Sequence, residues 1–186
     1  VGLLLFFIII NIYCVLSFPM DLKELMILLW GKIYITSFFA FFLWLRALDN
    51  GFMLLLSVFL TIWASDTGAY LCGITLGRNK LMPAVSPKKS VEGALGGLLF
   101  AAIIMLMMAP YLTLHRFTAV FVGLGLSILG QCGDLAESAL KRWGNSKDSG
   151  IFLPGHGGVL DRLDSLLFAV PVAYYLFLFL IPGRGL

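Results

Sequence analysis

From Val1 to Met20 the chain carries no charged residue, and charge-poor apolar stretches of this kind recur along most of its length. A helix needs about 20 predominantly apolar residues to cross the hydrocarbon core of a bilayer. Six segments meet or approach that requirement, at roughly 1–18, 25–45, 51–77, 93–112, 117–143 and 159–181. The runs are continuous rather than alternating, and a backbone in lipid must satisfy its own hydrogen bonds, so helices are favoured over a barrel. The expected fold is therefore all-α, a polytopic integral membrane protein with about six transmembrane helices. The 51–77 stretch is long enough to be one tilted span or a span broken near Gly68 and Gly73. The chain opens on Val1 and shows neither a basic n-region nor a small-residue cleavage site, so it does not read as starting with a signal peptide. N-terminal spans are expected to be missing from it.

Composition supports the same class. Hydrophobic residues make up 60% and charged residues 12%, with a mean hydropathy of +0.99. Soluble domains run at about 45–50% and about 25%. A water-soluble globule, a disordered chain and a secreted disulfide scaffold are excluded. The net charge of +3 is too small to argue for nucleic acid and matters through its placement in loops. Cys14, Cys72 and Cys132 form no CxxC pair and read as small packed hydrophobes. Two polar loops, 78–92 and 144–158, are rich in Gly, Pro, Ser and Lys. If the spans alternate, both loops share a side with Lys23, Arg78, Lys80, Lys88, Lys89, Lys141, Arg142 and Lys147, against Arg46, Arg116 and Arg184 on the other. The positive-inside rule then puts both loops in the cytoplasm, the membrane being the plasma or inner membrane if the source is bacterial. The expected organisation is an incomplete set of N-terminal apolar spans over 1–60 and a catalytic membrane domain over 61–186.

The few polar residues cluster. Between Gln131 and Arg142, residues Asp134, Glu137, Ser138, Lys141 and Arg142 fall within roughly 140° of one helical face. One charge at the centre of a spanning helix costs about 2.5–3.5 kcal/mol, so four on one stripe must face a polar cavity or one another. The plainer alternative is a solvated helix end held by pairs such as Asp134 or Glu137 with Lys141. Further on, glycines 155, 157 and 158 precede Asp161-Arg162-Leu163-Asp164-Ser165. Glycines at a helix start let backbone N–H groups approach a ligand, although an acidic cluster there is also favoured by the helix dipole alone. Carboxylates are hard ligands suited to Mg²⁺, which commonly bridges to substrate phosphates, while the absence of CxxC, HExxH and His clusters argues against zinc. Lys88 and Lys89 supply point charges for phosphates, the plainer alternative being a basic collar for anionic lipid. Asp66, an acid inside an apolar helix, either pairs with a neighbouring helix or lines the same cavity.

These residues carry a recognisable pattern. Ser138, Lys141-Arg142, Lys147-Asp148, Pro154, His156-Gly157-Gly158, Asp161-Arg162 and Asp164 match, without mismatch over 27 positions, the signature of the phosphatidate cytidylyltransferase family. Ser65 to Tyr70, Ser86 to Ser90 with Glu92-Gly93, and Gly133-Asp134-Leu135 also resemble family segments. Ser90 stands where Thr is as often expected, and it keeps the hydroxyl. The resemblance covers about 62–165. It implies transfer of CMP from CTP to phosphatidic acid, giving CDP-diacylglycerol and pyrophosphate. By resemblance, Asp134 and Asp161 hold Mg²⁺, and Lys141 and Arg142 complete the catalytic group. Asp66, Lys88, Lys89, Ser138, His156, Arg162 and Asp164 would contact substrate. CTP, phosphatidic acid and the bilayer are the implied partners, and a homodimer stays open.

A shared Mg²⁺ would require its two carboxylates within about 4.5 Å of each other. That predicts side-by-side packing of the 117–143 and 159–181 helices, with Asp66 lining the same cavity from a third helix. Two competing readings are a CTP-dependent polyprenol or phytol kinase, which should lack the full 138–164 pattern, and a transporter, whose charges should lie at the midplane. A non-catalytic remnant is a third.

Overall fold

The computed structural model describes residues 9, 12–13, 21–143 and 160–181. Five helices lie within them: α1 (Leu22–Ala47), α2 (Gly51–Leu76), α3 (Val91–Leu112), α4 (Arg116–Trp143) and α5 (Leu160–Leu180). Four of these contain an apolar stretch long enough to cross a membrane: α2, α3, α4, and α5 from Leu163 onward. The fold is all-α and polytopic, as the apolar runs require. The expected span 1–18 lies almost wholly outside the described residues. The segment 25–45 is helical as part of α1. The 51–77 stretch is one continuous helix, without a break at Gly68 or Gly73.

The chain divides into two units, 1–37 and 38–186. In the first, Trp30 and Tyr34 stack with ring centroids 5.0 Å apart, one helical turn from each other. The second holds the bundle. There α2 packs along α3, α3 along α4 and α4 along α5, and α2 also meets α4 and α5. The core is built from Leu54, Val58 and Ile62 of α2, Ala101 and Met105 of α3, Leu126 of α4, and Leu166, Val170 and Phe177 of α5. The outward faces are as apolar as the core. Trp63, Phe121 and Phe179 stand 57%, 72% and 84% exposed, which suits helices surrounded by lipid rather than water.

Without a hydrophobic driving force between helices in lipid, close packing relies on small residues. The α2–α3 seam is of this kind. A Cβ on Gly96 would lie 2.4 Å from the Cys72 sulfur and 2.8 Å from the Gly68 carbonyl oxygen. The glycines at 68 and 96 therefore allow contact between backbones, and this is why they do not break the spans.

At one end of the bundle, Asn50 adopts a left-handed conformation (φ 59°) in the α1–α2 turn and donates from Nδ2 to the Tyr111 carbonyl at 3.0 Å. The α3–α4 turn lies at this end too. The opposite end carries the α2–α3 connection, the end of α4 and the start of α5. That connection differs from the plain loop expected at 78–92. It contains a two-stranded antiparallel hairpin, β1 (Lys80–Met82) and β2 (Ser86–Ser90), pairing Lys80 with Ser90 and Met82 with Ser86. Strands of three and five residues are too short to leave a periodic sequence signal.

Candidate active site

A cavity of about 370 Å³ opens at this hairpin-bearing end. Its walls come from α2 (Asp66, Tyr70, Gly73), the hairpin (Lys88, Lys89, Ser90), α3 (Gly93, Ala94) and α4 (Gln131, Asp134). The volume is within the ordinary range for small-molecule sites. Asp66 and Asp134, proposed from sequence to share a cavity, do share it, together with both lysines of the Ser86-Pro87-Lys88-Lys89-Ser90 segment.

Each helix delivers its polar group for a local reason. α4 has 28 residues, about 42 Å of helix against about 30 Å of hydrocarbon. Its last turns therefore extend past the apolar layer. Asp134 sits near that boundary, and Lys141 and Arg142 lie in the final turn. Gly133, just before Asp134, marks the α4–α5 crossing. A Cβ there would come 2.6 Å from the Asp164 carbonyl oxygen. This contact sets Asp164 beside Asp134, and the two helices pack side by side as the shared-metal argument requires.

The charges interlock. Lys89 Nζ lies 2.5 Å from Asp134 Oδ2, each side chain partly exposed. Asp66 stands within electrostatic reach of Asp134, Asp164 and Lys89, and Asp164 within reach of Asp134 and Lys89. Asp66 and Asp134 line the cavity that Lys89 enters, and Asp164 lies on α5 across the Gly133 contact. Ser138, one turn on from Asp134, donates to its Oδ1 over a long 3.5 Å. Lys141 pairs with Glu137, one turn back on α4, and the Glu137 side chain is only 2% exposed. The pairing alternative raised for this face thus holds for Lys141, whereas Asp134 looks to the hairpin. Arg142 is exposed. His156 and the side chains of Asp161 and Arg162 lie outside the described residues, so the Asp134–Asp161 approach is not described; the backbone of residues 161 and 162 belongs to the first turn of α5.

A polar ladder runs from the cavity wall at Gln131 into the core. Ser65 and Ser127 hydroxyls lie 2.6 Å apart, and Gln131 Nε2 donates to Ser127 Oγ at 3.1 Å and to the Ala94 carbonyl at 3.2 Å. The ladder joins α2, α4 and α3 one helical step from Asp66 and one turn from Asp134. Sequence reasoning missed it. The signal was present as polar side chains inside apolar runs, but uncharged ones are cheap enough to pass unnoticed.

The family model described as "Cytidylyltransferase family" matches residues 1–180. The chain belongs to that family. Similar curated family members include the phosphatidate cytidylyltransferase of Bacillus subtilis (strain 168), 44% identical over 149 residues, which is 78% of this chain and 55% of the relative. The enzymes of that name from Staphylococcus epidermidis (strain RP62A) and Staphylococcus aureus (strain COL) are 43% and 44% identical over 141 residues, 75% of this chain and 54% of each relative. The chain thus matches about half the length of these cytidylyltransferases.

Proposed function

We propose that this chain carries the site that transfers CMP from CTP to phosphatidic acid, yielding CDP-diacylglycerol and pyrophosphate. The observation that carries the reading is the cavity itself, where carboxylates from separate helices meet lysines from the hairpin at the end of an apolar bundle. Both reactants are polyanions, one water-soluble and one held by its acyl chains in the bilayer. A cavity at the bundle end, on the boundary between lipid and water, suits that pair of substrates. The positive-inside rule supports a cytoplasmic position for this end, the side on which CTP is found.

In the proposed reaction a phosphate oxygen of phosphatidic acid attacks the α-phosphorus of CTP. The new P–O bond forms as the bond to the β-phosphate bridging oxygen breaks, and pyrophosphate leaves with that electron pair. No covalent enzyme intermediate is needed. The chain's part is to align the two phosphates and offset their charge. Lys88 and Lys89 hold the nucleotide phosphates, and Arg142 adds charge at the end of α4. Lys141, tied to Glu137, supports the α4 end, and Ser138 steadies Asp134.

The donor chemistry fits Mg²⁺. Asp134 and Asp66 present hard oxygen ligands to the same cavity from two helices. Carboxylates suit a cation that takes one or two of them and completes its shell with phosphate oxygens and water. Asp134 and Asp161 would hold it. When bound, Mg²⁺ supplies charge stabilisation to the phosphoryl oxygens.

The test is product analysis. Purified protein in mixed micelles, given CTP, phosphatidic acid and Mg²⁺, should form CDP-diacylglycerol and pyrophosphate in equal amounts. Phosphorylation of a polyprenol or phytol with release of CDP, and no CDP-lipid, would replace this reading with a lipid kinase.

A further inference from the structure

The hairpin that brings Lys89 to Asp134 is a weak element by itself. A two-stranded hairpin is marginally stable in water, and this one has strands of three and five residues with an irregular register between Lys80 and Met82. Something outside the ladder must fix it. Its neck supplies that tie. The Glu92 carboxylate accepts from the Arg78 amide at 3.1 Å, from the Asn79 amide at 3.2 Å and from Asn79 Nδ2 at 2.8 Å. Two successive backbone N–H groups thus converge on one carboxylate, as in an anion nest whose anion is a side chain of the same chain. The Val91 amide donates to the Asn79 carbonyl at 2.9 Å, closing the neck from the other direction. Beside it, Ser90 Oγ caps α3 by accepting from the Gly93 amide at 3.1 Å.

We propose that Glu92 is a positioning residue that clamps the hairpin neck and so sets Lys89 opposite Asp134. Both Glu92 oxygens are engaged by chain donors, and Glu92 is not part of the cavity lining. It acts on the cavity through the hairpin, three residues from Lys89. A carboxylate is required because all its partners are donors. An amide in its place would turn an N–H group toward an N–H group. The catalytic consequence rests on the reading of Lys89 as a group that binds nucleotide phosphate; the clamp itself does not.

The experiment uses the intact protein in detergent micelles, with the variants Glu92→Gln, Glu92→Ala, Lys89→Ala and Glu92→Ala/Lys89→Ala. Amide hydrogen exchange is read over 78–90, with 51–76 and 95–112 as internal references. Apparent KM is measured separately for CTP and for phosphatidic acid. Exchange over 78–90 should rise at least roughly tenfold in Glu92→Ala and less in Glu92→Gln, the scale of losing a charge-assisted hydrogen bond, with the reference helices unchanged. KM for CTP should rise roughly tenfold while KM for phosphatidic acid stays level, and the double variant should be no worse than Lys89→Ala. Unchanged exchange over 78–90 would overturn the clamp. Effects of Glu92→Ala and Lys89→Ala that multiply would overturn action through Lys89. Should Lys89→Ala leave KM for CTP flat while Glu92→Ala still loosens the hairpin, the clamp stands and the phosphate role of Lys89 falls.

Discussion

Replacing Gly133 by Ala tests whether the α4–α5 crossing sets the carboxylate arrangement. The added methyl would lie 2.6 Å from the Asp164 carbonyl oxygen, 3.1 Å from Phe168 Cδ2 and 3.2 Å from Ser165 Cα. Two of these are backbone atoms and cannot rotate away. Restoring ordinary contact, which begins at 3.4 Å, requires the helices to part by about 0.8 Å at this point. Overpacking of this kind costs about 1–3 kcal/mol. For a chain of this length that is a fall of roughly 2–12 °C in Tm. The same separation carries Asp164 away from Asp134, and a misplacement near 1 Å can reduce turnover by about 100-fold. Gly125→Ala on the same helix is the matched control, because nothing lies within 4 Å of its added methyl. There the gain in helix propensity, up to about 1 kcal/mol, should hold or raise Tm. The assays are thermal unfolding in detergent and CDP-diacylglycerol formation. Equal Tm and equal turnover for the two variants would refute the argument that the crossing is set by backbone contact at Gly133.

Asp134→Asn and Asp161→Asn should each lower turnover at least about 100-fold with saturating Mg²⁺, the scale of losing a principal electrostatic stabiliser; near-normal rates in both would remove them as ligands. Lys88→Ala combined with Lys89→Ala should raise KM for CTP, whereas a flat CTP dependence with weaker binding to anionic vesicles would return the loop to a lipid-collar role. Ser127→Ala strands Ser65 and Gln131 and should cost about 1–3 kcal/mol in thermal unfolding; removing Ser65 as well should add less than Ser65→Ala costs alone. Chelating the divalent cation with EDTA should abolish CDP-diacylglycerol formation, and restoring Mg²⁺ should return it.

The helices were legible because their signal is long. Runs such as 93–112 and 117–143 match or exceed the length needed to cross the hydrocarbon core, and their observed ends, at Val91–Leu112 and Arg116–Trp143, fall within two residues of that reading. The pairing of Asp66 with Asp134 on one cavity was legible from cost: acids in apolar helices need a common polar space. What escaped was short or uncharged. Neither the hairpin at 80–90 nor the Ser65–Ser127–Gln131 ladder leaves a periodic pattern. Lys141 joined the catalytic group by resemblance, while its pairing with Glu137, the plainer alternative already open in the sequence, is the contact the helix makes.

The seam between α2 and α3 bears on how this chain can change over generations. At Gly96 no larger residue fits without moving a backbone, so the permitted alphabet there has a single letter. At Trp63, Phe121 or Phe179, facing outward, many apolar residues serve equally well. Substitutions will accumulate unevenly as a result, fast on the lipid side and almost not at all along the seam. Distant descendants of this chain should therefore share little of their outer surface while keeping the spacing of their smallest residues.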